Sequence, residues 1–422
     1  MKEQIVQVEE IPTDVEFNST LEITSNNLGY FTHSFFKYPC KFIPLVPKWA
    51  ILKYTQPGEF VLDPFAGSGT TLVEAVLMQR NALGAEFDKL SQLLCKTKTL
   101  NLSSRQIQLL TEIKGTLFAE TAQSYPFRPD LHNISHWFPP ENVLQLAGLK
   151  EKIDSIYAKT NDRRIHNFLL VCFAATIRKC SYTDDTSPKP YVSTRIKKVP
   201  AAVREAFLSV FNSYLKNIEK YKNHKLGKST IISQDARDIR APKYEGYVSL
   251  AITSPPYINA FDYVRSLRLE NAWLGYYGDS NIMTMKRKQV GTEIIPSSIY
   301  SKNIEKTGNK ELELTVNTIS ENDRKRAFVV LKFFEDMIKN IMAVKKLLRP
   351  NSHYVIVVGD SEIRGTNIPT HEILVDIAEQ NGFKLDNVFS YLIKNRYLRI
   401  PRSGRGGLIK KDWVIDLVKT DG

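Results

Sequence analysis

Residues 59–71 read Glu59-Phe-Val-Leu-Asp63-Pro64-Phe65-Ala66-Gly67-Ser68-Gly69-Thr70-Thr71. An apolar run ends on an acid, a glycine-rich turn follows, and a helical pattern begins that continues to Met78, so the segment is strand, tight loop, helix. Glycines in such a loop accept positive φ and let the backbone come close to a ligand. Asn81-Ala-Leu-Gly-Ala-Glu86 adds a second short strand that also ends on an acid. Strand, helix and strand of this kind build a parallel sheet whose carboxyl edge binds ligands. The loop lacks the lysine of a phosphate-cradling loop and the third glycine of a dinucleotide fingerprint. A nucleoside without a pyrophosphate suits it better, with Glu86 accepting hydrogen bonds from ribose hydroxyls.

Further strands are expected at 230–233, 247–253, 353–358, 388–392 and 413–418. Val330, Phe334, Met337, Ile341, Val344 and Leu348 mark a long amphipathic helix that needs a sheet to cover. The fold class is therefore α/β, a Rossmann-like, mostly parallel seven-stranded sheet flanked by helices, with largely helical insertions. The expected organisation is a polar leader at 1–28 and a first catalytic part at 29–100. A mainly helical insertion at 101–228 and a second catalytic part at 229–264 follow, then a basic insertion at 265–325 and the rest of the catalytic domain at 326–422. Either insertion is a candidate for target recognition.

Ile252-Thr253-Ser254-Pro255-Pro256-Tyr257 follows the apolar strand ending at 253. Two consecutive prolines donate no backbone hydrogen bond and hold φ near about −65°, which makes a rigid, acceptor-rich elbow. Such an elbow suits a ring amine, whose lone pair is delocalised and must be localised before it attacks an electrophile. The Ser254 side chain and the Pro255 carbonyl, each accepting an N–H, favour that tetrahedral character. Tyr257 offers an aromatic face to a base swung out of a duplex. Taken alone, the elbow reads better as a proline-rich turn.

Together the two segments resemble the amino-methyltransferases of DNA, whose hallmarks are an Asp-Pro-Phe-x-Gly-Ser-Gly-Thr-Thr donor loop and an (Asn/Asp/Ser)-Pro-Pro-(Tyr/Phe) catalytic loop. The resemblance implies S-adenosylmethionine as cofactor. It places Asp63, Pro64, Phe65, Ala66, Gly67, Ser68, Gly69 and Thr70 in the donor loop, Glu86 at the ribose and Asp235 at the adenine amine of the donor. Phe36, Lys37, Tyr38 and Pro39 match the segment that closes over the methionine end, and Ser254, Pro255, Pro256 and Tyr257 form the catalytic loop. In this family Ser at the first catalytic position usually accompanies cytosine N4 methylation, and Asp or Asn adenine N6 methylation. The donor loop here precedes the catalytic loop, whereas many Ser-Pro-Pro-Tyr members run in the other order, so the subclass and the place of target recognition stay open.

The chain has 422 residues, 42% of them hydrophobic, and its 58 Lys and Arg against 45 Asp and Glu leave a formal +13. That balance fits a polyanion partner such as duplex DNA. Lys286-Arg287-Lys288, Arg195 with Lys197 and Lys198, and Arg396, Arg399, Arg402 and Arg405 are basic clusters expected in loops and suited to phosphates. A solvated face is the plain alternative for each. The four cysteines are scattered, which argues against a disulfide scaffold or a zinc cluster and fits a reducing cytoplasm. Cys40, after Pro39, is expected to be an ordinary buried thiol. Asp262, Tyr263 and Arg265, just after the catalytic loop, read as a border of the target-base pocket, and Asp262 reads as easily as a helix cap. His132 and His136 lack the Glu of a zincin site, so no metal is expected. No stretch approaches the roughly 18 apolar residues of a membrane span.

The expected activity is site-specific methylation of the cytosine N4 amine, with a restriction endonuclease as a separately acting partner. The alternatives are adenine N6 methylation of DNA, methylation of an RNA amine, and a catalytically silent DNA-binding module; a nicotinamide-dependent oxidoreductase is disfavoured by the missing third glycine.

Overall fold

The computed structural model describes residues 5–26, 28–118, 127–195, 197–258, 261–393 and 409–420. Its strands are β1 (Ile5–Val8), β2 (Thr20–Ile23), β3 (Phe60–Asp63), β4 (Asn81–Ala85), β5 (Ser229–Ser233), β6 (Val248–Thr253), β7 (Leu348–Val358), β8 (Ser361–Ile363), β9 (Thr366–Ile368), β10 (Phe383–Leu392) and β11 (Lys411–Lys419). Nine of them form one sheet in the order β1-β2-β10-β11-β7-β6-β3-β4-β5, while β8 and β9 make a separate hairpin. Within the large sheet only β11 runs antiparallel to its neighbours, β10 and β7. All seven expected strands are present.

The sheet is two strands wider than expected, and both extra strands come from the segment anticipated as a polar leader. β2 pairs in parallel with β10 through Thr20↔Ser390 and Tyr391↔Leu21, and β1 lies outside it. Leu21 and Ile23 enter the core, but four residues with a polar residue between them carry too weak an alternation to read.

Both sheet faces are covered, as a mostly parallel sheet requires. The helices Leu45–Tyr54 and Thr70–Leu77 pack on one face with Val61, Leu250, Ile252 and Val355. On the other face the helix Arg324–Leu347 buries Val330, Phe334, Met337, Ile341 and Val344 against Leu62, Ala251 and Ile356. A third core holds the helices of 101–228, and it draws in Phe35, Leu90, Leu94 and Trp273 from outside that segment. Trp273 meets Phe127, Phe138 and Phe173 edge-on or tilted. Residues 267–274 of the second expected insertion thus join the core of the first, whereas Val290, Ile295, Leu312, Val316 and Ile319 pack in the core of the helix Arg324–Leu347.

The chain winds outward from β3 through β4 to β5, then returns to β6 on the other side of β3 and continues to β7. The order thus reverses between β3 and β6, and open α/β sheets form their ligand crevice outside the carboxyl ends of strands at such a point. The carboxyl ends here are Asp63 and Thr253.

Candidate active site

The two sequence motifs meet at this reversal. Leu62 of β3 pairs with Ala251 of β6, and the Thr253 hydroxyl donates to Asp63 Oδ1 at 2.7 Å. Asp63 Oδ1 also accepts the Phe65 amide at 3.0 Å, which shapes the turn out of β3. A cavity of about 560 Å³ opens over these strand ends, within the roughly 300–1,000 Å³ of ligand clefts.

Asp63, Pro64, Phe65, Ala66, Gly67, Ser68 and Thr70 of the glycine loop line this cavity, and so do Tyr38, Glu86, Asp235, Ser254 and Pro256. Six other expected residues do not. Gly69 sits at φ +80, and a Cβ there would lie 3.1 Å from Cys95 Cα. Its glycine lets the loop close on the helix Lys89–Lys98, a packing reason separate from any ligand. Phe36 is buried with its amide on the Tyr214 hydroxyl at 2.7 Å, and Lys37 reaches the Asp185 carbonyl, so both tie this segment to the helical region. Pro39 and Pro255 are buried. Tyr257 stands behind the cavity, its hydroxyl donating to Asp412 Oδ1 at 2.8 Å.

Glu86 holds the glycine loop by accepting the Gly67 amide on Oε2 and the Asp88 amide on Oε1, each at 2.8 Å. Asp88 caps the helix Lys89–Lys98 by accepting the Ser91 amide. The Tyr38 ring lies over Gly67, with its hydroxyl 3.0 Å from Ser91 Oγ and its face stacked toward Tyr263 at 6.0 Å. Asp235 is gripped by Arg237, which donates from Nε to Oδ1 and from Nη2 to Oδ2, both at 2.9 Å. That guanidinium holds the Asp235 carboxyl below the usual carboxylate range even though burial opposes it.

Buried acids gather at the strand ends of the cavity, while Lys41, Lys89, Arg237 and Lys288 line it elsewhere. Burial pushes the Asp63 carboxyl up to about 6. Burial, with the Asp88 charge beside it, pushes Glu86 up to about 8. Burial raises Asp88 as well. None of the three forms an ion pair among the described residues, so the walls carry acids that a cationic guest would favour in ionised form. The Thr70 hydroxyl is buried without a hydrogen-bond partner on the same wall.

Tyr263, expected beside the catalytic loop, lines the cavity, whereas several other lining residues were not anticipated, among them Asp88, Arg237, Tyr277 and Gln289. Asp88 carried a readable signal, an acid placed directly before a helical run; the others come without one. Cys40 is not the buried thiol expected of it, because it is exposed and lines the cavity. Lys286 to Lys288 lie on the short helix Ile282–Lys288 instead of a loop, with Lys288 on the cavity wall and Lys286 paired to Asp262. Asp262 caps the turn Tyr263–Ser266 by accepting the Arg265 amide at 2.9 Å. Lys198 pairs with Asp185 at 2.8 Å. Arg396, Arg399, Arg402 and Arg405 fall outside the described residues. Among the described residues no helix is long and apolar enough to cross a membrane.

Residues 6–92 match the N6/N4 methyltransferase family, described as DNA methylase. The chain is similar to the type II methyltransferase M.MvaI of Kocuria varians, 25% identical over 409 residues that cover 91% of this chain and 88% of that one. It is 22% identical to the type II methyltransferase M.BsoBI of Geobacillus stearothermophilus over 446 residues, covering 94% and 86%. Among solved structures, TTHA0409 of Thermus thermophilus in complex with S-adenosyl-L-methionine aligns at 21% identity and a TM-score of 0.18 over 22% of this chain and 40% of that one, too weak a likeness to carry any argument. The matched donor segment and the two near-full-length sequence likenesses agree with the motif pair, and all of them point to the S-adenosylmethionine-dependent amino-methyltransferases of the N6/N4 type as the proteins that this chain resembles.

Proposed function

We propose that this chain methylates an exocyclic amine of DNA, the N4 amine of cytosine, on a base swung out of the duplex. The observation that carries the reading is the Thr253–Asp63 hydrogen bond, which sets the donor loop and the Ser-Pro-Pro-Tyr loop on one cavity. The cavity residues fit the methyl donor on two counts. S-adenosylmethionine carries a sulfonium cation, which suits walls bearing three unpaired acids, and its ribose and carboxylate suit Glu86 and the unpartnered Thr70 hydroxyl.

Bound there, the donor supplies an electrophilic methyl group. In this reading Asp63 and the glycine loop hold it, Glu86 accepts from the ribose, and Phe65 and Asp235 flank the adenine, with Arg237 orienting the Asp235 carboxylate. Ser254 and the Pro255 carbonyl accept the two N–H bonds of the target amine and localise its lone pair. The formal +13, with Lys288 at the cavity wall, suits contacts to phosphates. In line with two relatives named type II methyltransferases, we place the protein in the cytoplasm beside a separately acting restriction endonuclease.

The test is to incubate the purified protein with S-adenosylmethionine and mixed-sequence duplex DNA, digest to nucleosides and identify methylated bases by mass spectrometry. Finding 4-methylcytosine is expected. Finding 6-methyladenine would keep the site chemistry and overturn the use made of Ser254, while methylation of RNA alone, or of nothing, would overturn the substrate.

A further inference from the structure

A fully buried lysine lies under the glycine loop and belongs to neither motif. Lys98 is the last residue of the helix Lys89–Lys98, is 0% exposed and forms no ion pair among the described residues. Its Nζ donates to the Ser68 carbonyl at 2.7 Å. Its own carbonyl accepts the Thr32 hydroxyl at 2.8 Å and the Tyr221 hydroxyl at 3.1 Å, so the end of the helix that carries it is pinned from two further segments. One turn earlier, the Cys95 thiol donates to the Gly67 carbonyl at 3.5 Å. Positions 95 and 98 share one face of a helix, and that face takes two successive carbonyls of the loop.

In a trans peptide the C=O and the N–H point opposite ways. With the Ser68 carbonyl on Lys98, the Gly69 amide donates to the Ala66 carbonyl at 2.7 Å. The Ser68–Gly69 peptide is thus held at both ends, and Lys98 supplies one of them. Ser68 itself lines the cavity, whereas Lys98 does not.

Packing alone does not explain a lysine here. Leu or Met would fill the same dry space without desolvating an amine, and lysine is almost never fully buried unless paired. Burial and the charge of Lys41 hold its pKa below the usual lysine range, yet an amine donates an N–H in either protonation state.

We propose that Lys98 is a positioning residue for the methyl donor: through the Ser68 carbonyl it fixes the Ser68–Gly69 peptide and so holds the glycine loop in the shape that takes S-adenosylmethionine. This rests on the reading of the cavity as the donor site. Lys98 acts through Ser68 and does not touch the donor.

The experiment compares Lys98→Met, Lys98→Gln and Lys150→Met in the full-length protein. Lys98→Met keeps the length and the apolar stem and removes the N–H. Lys98→Gln keeps an N–H donor one bond short of the amine. Lys150→Met is the control, since Lys150 is another buried lysine, paired with Asp154 in the helical region and not on the cavity wall. The readouts are hydrogen exchange of the loop amides in the ligand-free protein, calorimetry with S-adenosylmethionine, and steady-state methylation of mixed-sequence duplex DNA at saturating donor. In Lys98→Met, exchange at the Gly69 amide should speed up on the order of tenfold, and Kd for the donor should rise about ten- to a hundredfold. At saturating donor, kcat and KM for DNA should stay within about threefold, which separates a role in the donor loop from a general weakening of the fold. Lys98→Gln should fall between Lys98→Met and the wild type, and the control should match the wild type in loop exchange and donor affinity.

The proposal is overturned if Lys98→Met binds the donor like the wild type, if its loss falls on kcat with Kd unchanged, if Lys98→Gln is as weak as Lys98→Met, or if the control loses as much. Should Lys98→Met not fold, Lys98→Gln decides: faster loop exchange with weaker donor binding upholds the proposal, and wild-type values of both overturn it. A wild-type protein that binds no S-adenosylmethionine overturns instead the reading of the cavity on which the proposal stands.

Discussion

Replacing Glu86 by glutamine tests the donor site most directly. Both carboxylate oxygens are committed, to the Gly67 and Asp88 amides at 2.8 Å each. An amide turns one of these acceptors into a donor facing an N–H, and it removes the charge that would meet ribose hydroxyls. Hydrogen bonds to charged groups contribute about 1.5–3 kcal/mol, so donor affinity should fall about 10- to 150-fold. The pH dependence is more diagnostic than the loss. With its carboxyl at about 8, Glu86 in the free protein is mostly protonated at neutral pH, and binding must drive the proton off. Ionising it at pH 7 costs about 1.4 kcal/mol for the one pH unit below its midpoint, and about nine-tenths of a proton should leave on binding. Wild-type affinity should therefore climb up to about tenfold per pH unit toward pH 8 and then level, with Asp63 adding to the slope near its own midpoint of about 6. The variant should lose the part of this slope above pH 7. Calorimetry between pH 6 and 9, in buffers of different ionisation enthalpy, measures both affinity and proton release. S-adenosylhomocysteine, which lacks the sulfonium, separates the two attractions, since a ribose contact weakens for both ligands and a charge contact only for the donor. A flat wild-type profile, or a variant that binds and releases protons like the wild type, would refute the assignment of Glu86.

The same shift makes a statement about the protein without ligand: the folded carboxyl of Glu86 lies above its unfolded value, so its contribution to stability is full below pH about 4.5 and is lost as pH rises through about 8. Melting scans across that window should show a fall with pH that is shallower in Glu86→Gln. Gly69→Ala places a Cβ at φ +80 against Cys95 and should cost about 1–3 kcal/mol, read as a lower Tm; an unchanged Tm would mean the turn is not constrained as described. Arg237→Ala removes the donors to Asp235 and to the Lys288 carbonyl while Asp336 keeps Lys332. Tryptic cleavage at Lys286–Lys288 should then speed up on the order of tenfold, as expected when local opening becomes easier by about 1.4 kcal/mol. Cleavage at the wild-type rate would show that Arg237 does not hold this helix.

Long-range geometry separates what could be read from what could not. The glycine loop was legible because strand, turn and helix there are one continuous local pattern, and the elbow at 254–257 because proline chemistry is local. Gly69 was legible as a positive-φ glycine but not as a packing residue, since the Cys95 that crowds it belongs to a helix 26 positions on. Asp235 was named only through the family resemblance; that Arg237 grips it depended on side-chain rotamers. Tyr257 was legible as an aromatic at the site, yet the tether that draws its hydroxyl away from the cavity comes from Asp412 on a strand far along the chain.

By itself the sequence determined the strand-and-helix periodicity, the class of sheet, the two loops and the balance of charge, because each is set by residues close in the chain and by composition. Only the tertiary structure decided that the two loops share one wall, that 267–274 join the apolar core of 101–228, that the first residues widen the sheet, and which carboxyls are buried without a cation. Those facts depend on strand order and burial, which arise when segments hundreds of residues apart exclude water together, and no local pattern encodes them.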